Sequence, residues 1–444
     1  MKPYDVVVVG GGVSGLAASV YLAQEGYSVV VLEKSDQLGG RAITVKKGGA
    51  LFNLGGHALY REGEAYQILG ELGVMLPGGV PDTKGMAIWK NRLYPIPSGP
   101  LSFLTSPLLS AYGKMDFVRF LIRLNRTDPQ TLALMSLQEW AEKEIRDPMA
   151  RHLFYAICRI VTYSNDRSRL PADVVYKQLT QSLKGGVFYV DGGWQTIVRG
   201  LRNQAVQLGV SIRNRHSVTS IEPMEEKLRI RLTDGGTMEA PTVLTTVGPE
   251  QTYRMVKEAD RTALGLWKQK ARPLMAACLD LGLKRLPKPN HHLAIGLDQP
   301  IFFTNHSRAS SLSEDGTIVV HLIQYLDEEI GNPKANERQL EQIMDLLHPG
   351  WRNEVVARQY LPQIAVMNDM PRVGERMLFG PTVPEVPGLY IAGDGAGHGE
   401  MLADAALASA KRAALEILQK RPVHGSHTKD GMDSLGYRNV VSLS

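Results

Sequence analysis

Three glycines, Gly10, Gly12 and Gly15, stand in the spacing Gly-x-Gly-x-x-Gly directly after a β-branched run and open a helical pattern. That order suits a phosphate-binding turn. The first glycine permits the tight turn, the second lets backbone approach a pyrophosphate, and the third lets helix pack on strand. Val13 and Ser14 fall in the first helical turn, where free N–H groups and the helix dipole favour an anion. Glu33, followed by Lys34, ends the next strand. Its distance from the glycines is about the ~20 residues expected of an acid that binds ribose hydroxyls. Together these residues predict a dinucleotide site, without separating one dinucleotide from another.

The elements that must position them are legible nearby. Asp5–Val9 reads as a strand, a helix runs through Leu16, Val20 and Ala23 to a C-cap at Gly26, and Ser28–Leu32 reads as a second strand. The unbroken valines fit parallel strands buried on both faces. From Met86 to Lys184 the character changes: a proline-rich turn at Tyr94–Pro100 leads into helices around Lys114–Asn125, Leu137–Glu144 and Ala150–Val161. Strands return at Gly209–Ile212, Leu228–Thr233 and Val243–Thr246. A second departure covers Leu266–Met377, before a strand at Gly388–Ala392, a glycine loop and an alanine-rich helix over Leu402–Gln419. The expected fold class is α/β: a Rossmann-like domain from residues 1–78, 187–265 and 378–421, with a discontinuous inserted α+β domain from 79–186 and 266–377. Residues 422–444 form a polar tail.

Beyond the opening motif stand Leu38-Gly39-Gly40-Arg41, Phe52-Asn53-Leu54-Gly55-Gly56-His57 and Pro387-Gly388-Leu389-Tyr390-Ile391-Ala392-Gly393-Asp394-Gly395. As a set they resemble the flavin amine oxidase, phytoene desaturase and protoporphyrinogen oxidase superfamily, and most closely its phytoene-dehydrogenase-like members, which share the form at Gly55–Leu59. The resemblance covers about half the chain and implies FAD. It implies Gly10, Gly12 and Gly15 at the pyrophosphate, Glu33 on the adenosine ribose, and Gly40 and Arg41 near the pyrophosphate. It further implies Val218 at the adenine, Gly393 and Asp394 at the ribityl chain or pyrophosphate, Gly55, Gly56 and His57 by the flavin, and the backbone of Leu402 and Ala403 at the flavin's pyrimidine edge. Ungapped matching through Ala408–Ala414 puts Leu402 where many amine oxidases have an aromatic-cage tyrosine, which favours an apolar substrate over a simple amine.

A flavin would carry the redox chemistry, so the chain need only place a substrate C–H over flavin N5 and exclude water. The expected enzyme is an FAD-dependent desaturase, dehydrogenase or oxidase. A flavin amine or amino-acid oxidase is the alternative; a flavin-dependent isomerase and a non-catalytic prenyl-binding protein on the same fold rank lower. His57, His398 and Glu400 are the candidates for proton transfer, and no metal set is expected. Cys158 and Cys278 lie in apolar surroundings without a CxxC pair, which predicts buried inert thiols and fits a reducing cytoplasm. The chain's net charge of +5 over 444 residues is spread along it, and no nucleic-acid module is visible. The glycines within Val6–Ala23 and the lack of a basic leader argue against a signal peptide or membrane span. The stretch Lys114–Arg126 is expected to pack inside the inserted domain, with a basic amphipathic membrane contact as the alternative. The electron acceptor (oxygen or a quinone) and the oligomeric state are not legible.

Overall fold

The computed structural model describes residues 3–97, 99–326, 331–375 and 377–420; the expected polar tail lies outside the described residues. A five-stranded sheet forms its first layer, in the order Ser211–Arg213, Val29–Leu32, Val6–Val9, Thr242–Thr245, Leu389–Ile391. Every pairing in it is parallel, and Val6 faces Val29 on one side and Thr242 on the other. All four valines of Val6–Val9 are buried. Burying each contributes about 2 kcal/mol, the reason a two-sided strand is written without polar residues.

The helix Val13–Gln24 covers one face through Leu16, Ala17 and Val20, against the alanine-rich side of Leu402–Gln419. Small residues there (Ala410, Ala413, Ala414) let the two helices approach closely. Gly26 follows the first helix with φ +79°, where a Cβ would be strained.

A second, seven-stranded mixed sheet has the order Val355–Met367, Leu274–Leu283, Ile318–Leu326, Ile301–Asn305, Leu293–Gly296, Met86–Trp89, Arg92–Pro95. It joins the two stretches where the sequence departs from the Rossmann pattern. Helices Ala111–Leu124, Leu137–Glu144, Pro148–Thr162 and Ala172–Gly185 pack on it around Phe120, Trp140 and Phe154. The Lys114–Arg126 stretch packs into the inserted domain along one side only. Phe117, Phe120 and Leu124 are buried, while Met115, Val118, Leu121 and Ile122 stand exposed. Among the described residues no helix is long and apolar enough to cross a membrane.

Candidate active site

Between the two sheets lies a cavity of about 770 Å³. Its lining runs from Glu33, Lys34 and Val218, past Gly10, Gly12, Val13, Ser14, Gly40 and Arg41, to Gly393, Asp394, Gly56, His57, Leu402 and Ala403. The sequence motifs, scattered over the whole chain, therefore meet on one wall. Gly15 lies behind this wall, and Gly55 lies under it.

The glycines of the first turn serve different ends. A Cβ on Gly15 would sit 2.0 Å from the carbonyl oxygen of Gly10, so packing of helix on strand excludes a side chain there. Gly10, at φ +109°, would meet Thr246 and Val247. Gly12 differs: its backbone is extended, and a Cβ would touch nothing nearer than the Gly39 carbonyl at 3.9 Å. A Cβ on Gly40 would likewise meet only the Gly12 Cα, at 3.9 Å. These two glycines face open cavity, not protein. The helix that starts at Val13 has no side-chain cap and no acidic residue in its first turn, which leaves N–H groups there open to an anion.

Around this cradle the charged side chains are held by backbone. Glu33 is buried and accepts from the Gly11 N–H at 2.8 Å and the Ser35 N–H at 2.9 Å. Two acceptor sites of its carboxylate stay open, enough for a diol. Arg41 and Asp394 bind each other through both guanidinium prongs. Asp394 also accepts from the backbone and side-chain N–H of Asn368. It does not cap the final helix, whose N-cap is Met401.

At the other end the wall turns apolar, with Leu54, Ile364, Val366, Cys278, Trp194 and Leu402. Tyr163 donates to the Gly56 carbonyl at 2.7 Å and pins the Gly55–His57 loop. The Trp194 backbone N–H donates to Asn53 Oδ1 at 2.9 Å, and the indole lies edge-on to the His57 ring, with centroids 4.7 Å apart. His57 Nδ1 lies 3.0 Å from the Gly55 carbonyl, which can only accept. Nδ1 therefore carries the hydrogen, and Nε2 is left as the basic nitrogen. Burial pushes the His57 pKa down from its ordinary value. Leu402 adopts φ +57°, a conformation that costs a leucine about 1–3 kcal/mol. Among the described residues its N–H meets only the Met367 sulfur, at 3.5 Å, a weak acceptor.

His398 and Glu400 are not on this lining. The Glu400 carboxylate is engaged by Arg412 and by the His398 N–H; burial pushes its pKa up, but the Arg412 charge and these hydrogen bonds together bring it below its ordinary value. Cys158 and Cys278 are buried free thiols, each pushed up in pKa by burial, and Cys278 reaches the cavity wall. Among the described residues no cluster of His, Cys, Asp and Glu could hold a metal ion. Sequence reasoning passed over Tyr163, Trp194, Ile364 and Asn368. Trp194 had a signal, in that it follows the paired glycines Gly192 and Gly193.

Fold and cavity thus define a Rossmann-like protein whose second, mixed sheet closes over a long cleft at the strands' carboxyl ends. The family model for flavin-containing amine oxidoreductases matches residues 13–278, and the chain belongs to that family: it is a flavin-containing oxidoreductase. Among curated relatives, the chain is 24% identical to a 1-hydroxycarotenoid 3,4-desaturase from Flavobacterium sp. (strain P99-3), over 71% of each chain. It is 23% identical to a 4,4'-diapolycopene oxygenase from Methylomonas sp, over 70% of each. An oxidoreductase from Methanosarcina mazei has the same fold, with a TM-score of 0.74 and 21% identity, covering 94% of this chain and 100% of that one.

Proposed function

We propose that the chain is an FAD-dependent enzyme that dehydrogenates a bulky, largely apolar substrate. The observation that carries this reading is the open cradle between Gly12 and Gly40, which the protein's own packing leaves free, beneath an uncapped helix N-terminus. Backbone at Gly10, Gly12, Val13 and Ser14 would hold the pyrophosphate, with Gly40, Arg41, Gly393 and Asp394 closing over it. Glu33 would take the adenosine ribose hydroxyls, with Lys34 beside it, and Val218 the adenine. The Leu402 and Ala403 amides would meet the flavin's pyrimidine edge, where a helix N-terminus favours the charge of a reduced ring. When bound, FAD supplies the hydride acceptor, its N5. On this reading residues 1–78, 187–265 and 378–421 hold the cofactor, and 79–186 and 266–377 form the substrate's half of the cleft.

For the substrate, the apolar wall of Ile364, Val366, Trp194 and Leu402 orients a hydrocarbon surface and keeps water out. Relatives named for carotenoid substrates support the same class. The exposed side of Ala111–Leu124, with Arg119 and Arg123 beside Val118 and Ile122, adjoins Leu101 and Leu104, which are 76% and 68% exposed. This face would rest on a membrane surface and draw an apolar substrate from it. Anaerobic mixing with a carotenoid-like polyene is expected to bleach the flavin band, and mixing with small primary amines to leave it. The reverse result would move the substrate class to amines.

A further inference from the structure

Four neighbouring strands of the seven-stranded sheet each carry one polar residue at the same level. Gln359 pairs in register with Asp280, Asp280 with His321, and His321 with Thr304. Residues so paired project from one face, and all four are buried. His321 Nδ1 lies 2.7 Å from Asp280 Oδ1. Gln359 Nε2 donates to Asp280 Oδ2 at 3.1 Å and to the Asn53 carbonyl at 3.2 Å. Lys47, on the surface, donates to Gln359 Oε1 at 2.8 Å. His321 Nε2 has no partner among the described residues.

The row lies directly beneath the loop that carries His57. A Cβ on Gly56 would come 2.8 Å from Ile323 Cδ1 and 3.7 Å from His321 Cβ, and one on Gly55 would come 2.9 Å from the Cys278 sulfur. Folding does not ask for these polar groups. A carboxylate inside a ten-residue strand that is otherwise apolar and glycine costs desolvation, and apolar residues of similar size would serve stability as well or better. The placement calls for another reason, and His57 supplies it. Among the described residues, the charged and titratable groups around His57 include Arg41, Cys278, Asp280, His306, His321 and Tyr163, with Arg308 beyond His306. Asp280 is the carboxylate among them. Burial, His321 and Arg41 oppose charge on His57, while Asp280 favours it.

We propose that Asp280, held in place by His321, is a positioning residue for His57: its carboxylate supplies the counter-charge that lets His57 Nε2 receive the proton a substrate gives up on dehydrogenation. This rests on the oxidoreductase reading above. One substrate C–H bond breaks with its electron pair leaving as hydride to the bound flavin. The second breaks with its electron pair retained as the new double bond, and its proton goes to His57, which becomes an imidazolium. Asp280, oriented by His321 and Gln359, balances that charge without touching substrate.

The test is a pH titration of the full-length holoprotein with nitrogen-15 histidine, read by NMR, with His57 assigned by the signal lost in His57→Gln. In the wild type, the His321 Nε2 resonance is expected to move as His57 titrates. In Asp280→Asn, the His57 midpoint is expected to fall by about one pH unit, with bound flavin per chain unchanged. A midpoint within about 0.2 unit of wild type would overturn the proposal. Should Asp280→Asn not fold, the wild-type titration decides alone: a His321 signal that stays flat while His57 titrates overturns it. Flavin content, measured separately by absorbance, tests the cofactor reading, and the histidine resonances report the coupling in coloured and colourless protein alike.

Discussion

Arg41 and Asp394, 353 residues apart in the chain, form a two-pronged ion pair with N–O distances of 2.7 and 2.8 Å. It ties the loop after the second Rossmann strand to the loop before the final helix. Asp394 is nearly inaccessible, whereas the Arg41 side chain is 43% exposed and lines the cavity. The guanidinium therefore has a spare edge for an anion.

Arg41→Ala is expected to lower stability by about 1–3 kcal/mol, because it leaves a buried carboxylate with, among the described residues, only Asn368 as donor. The lower half of that range is favoured by Arg41's partial exposure. It should weaken flavin binding at least tenfold. Arg41→Lys keeps the charge but not the fork, and should recover less than half of the lost affinity. Denaturant melts and equilibrium dialysis of the flavin measure both effects.

Gly12 and Gly15 separate binding from folding within one motif. Gly12→Val should keep the melting temperature of the unliganded protein and lose the cofactor, since the added side chain enters open cavity. Gly15→Val forces a side chain onto the Gly10 carbonyl and should cost about 3 kcal/mol or more of stability. Equal loss of stability in the two variants would contradict this division.

Asp404, in the first turn of the final helix, is buried with Oδ1 on the Ala65 N–H and Oδ2 unpartnered among the described residues. Burial pushes its pKa up to about 6. The unfolded carboxyl titrates near ~3.9, so between about pH 4 and 6 the fold binds more protons than the coil. Stability then falls as pH rises through that window and stays lower above it. Asp404→Asn should be about 1–2 kcal/mol more stable than wild type at neutral pH, after allowing for the lost helix-dipole interaction, and equal to it near pH 4. A difference that does not change with pH would rule out this origin.

Sedimentation with vesicles checks the exposed apolar face. Wild type should bind vesicles rich in anionic lipid, and Met115→Glu with Ile122→Glu should abolish binding while flavin content stays constant. Raised salt should weaken the wild-type interaction, because Arg119 and Arg123 contribute through screened attraction.

Much of the Rossmann half was legible because its signals are local. The valines of Val6–Val9, the glycine spacing and Glu33 lie within one βαβ unit, and the helix Leu402–Gln419 falls where its alanine pattern puts it. Less visible was anything set by pairing between distant strands. Asp280 and His321 become partners only through sheet register, which no spacing in the chain encodes. Tyr163 and Asn368 reach the site from helix and strand ends whose residues look ordinary in isolation. Leu402 is the plainest case. A left-handed backbone invites glycine or asparagine, and a leucine there gives no warning in the sequence.

The central claim is that a flavin dinucleotide lies along the cavity from Glu33 to Leu402. The most direct measurement is the visible spectrum of the purified full-length protein, with the chromophore released by heating and identified by mass. About one FAD per chain, lost in Gly12→Val, is the expected result. A folded protein that is colourless and stays so after incubation with FAD would contradict the account.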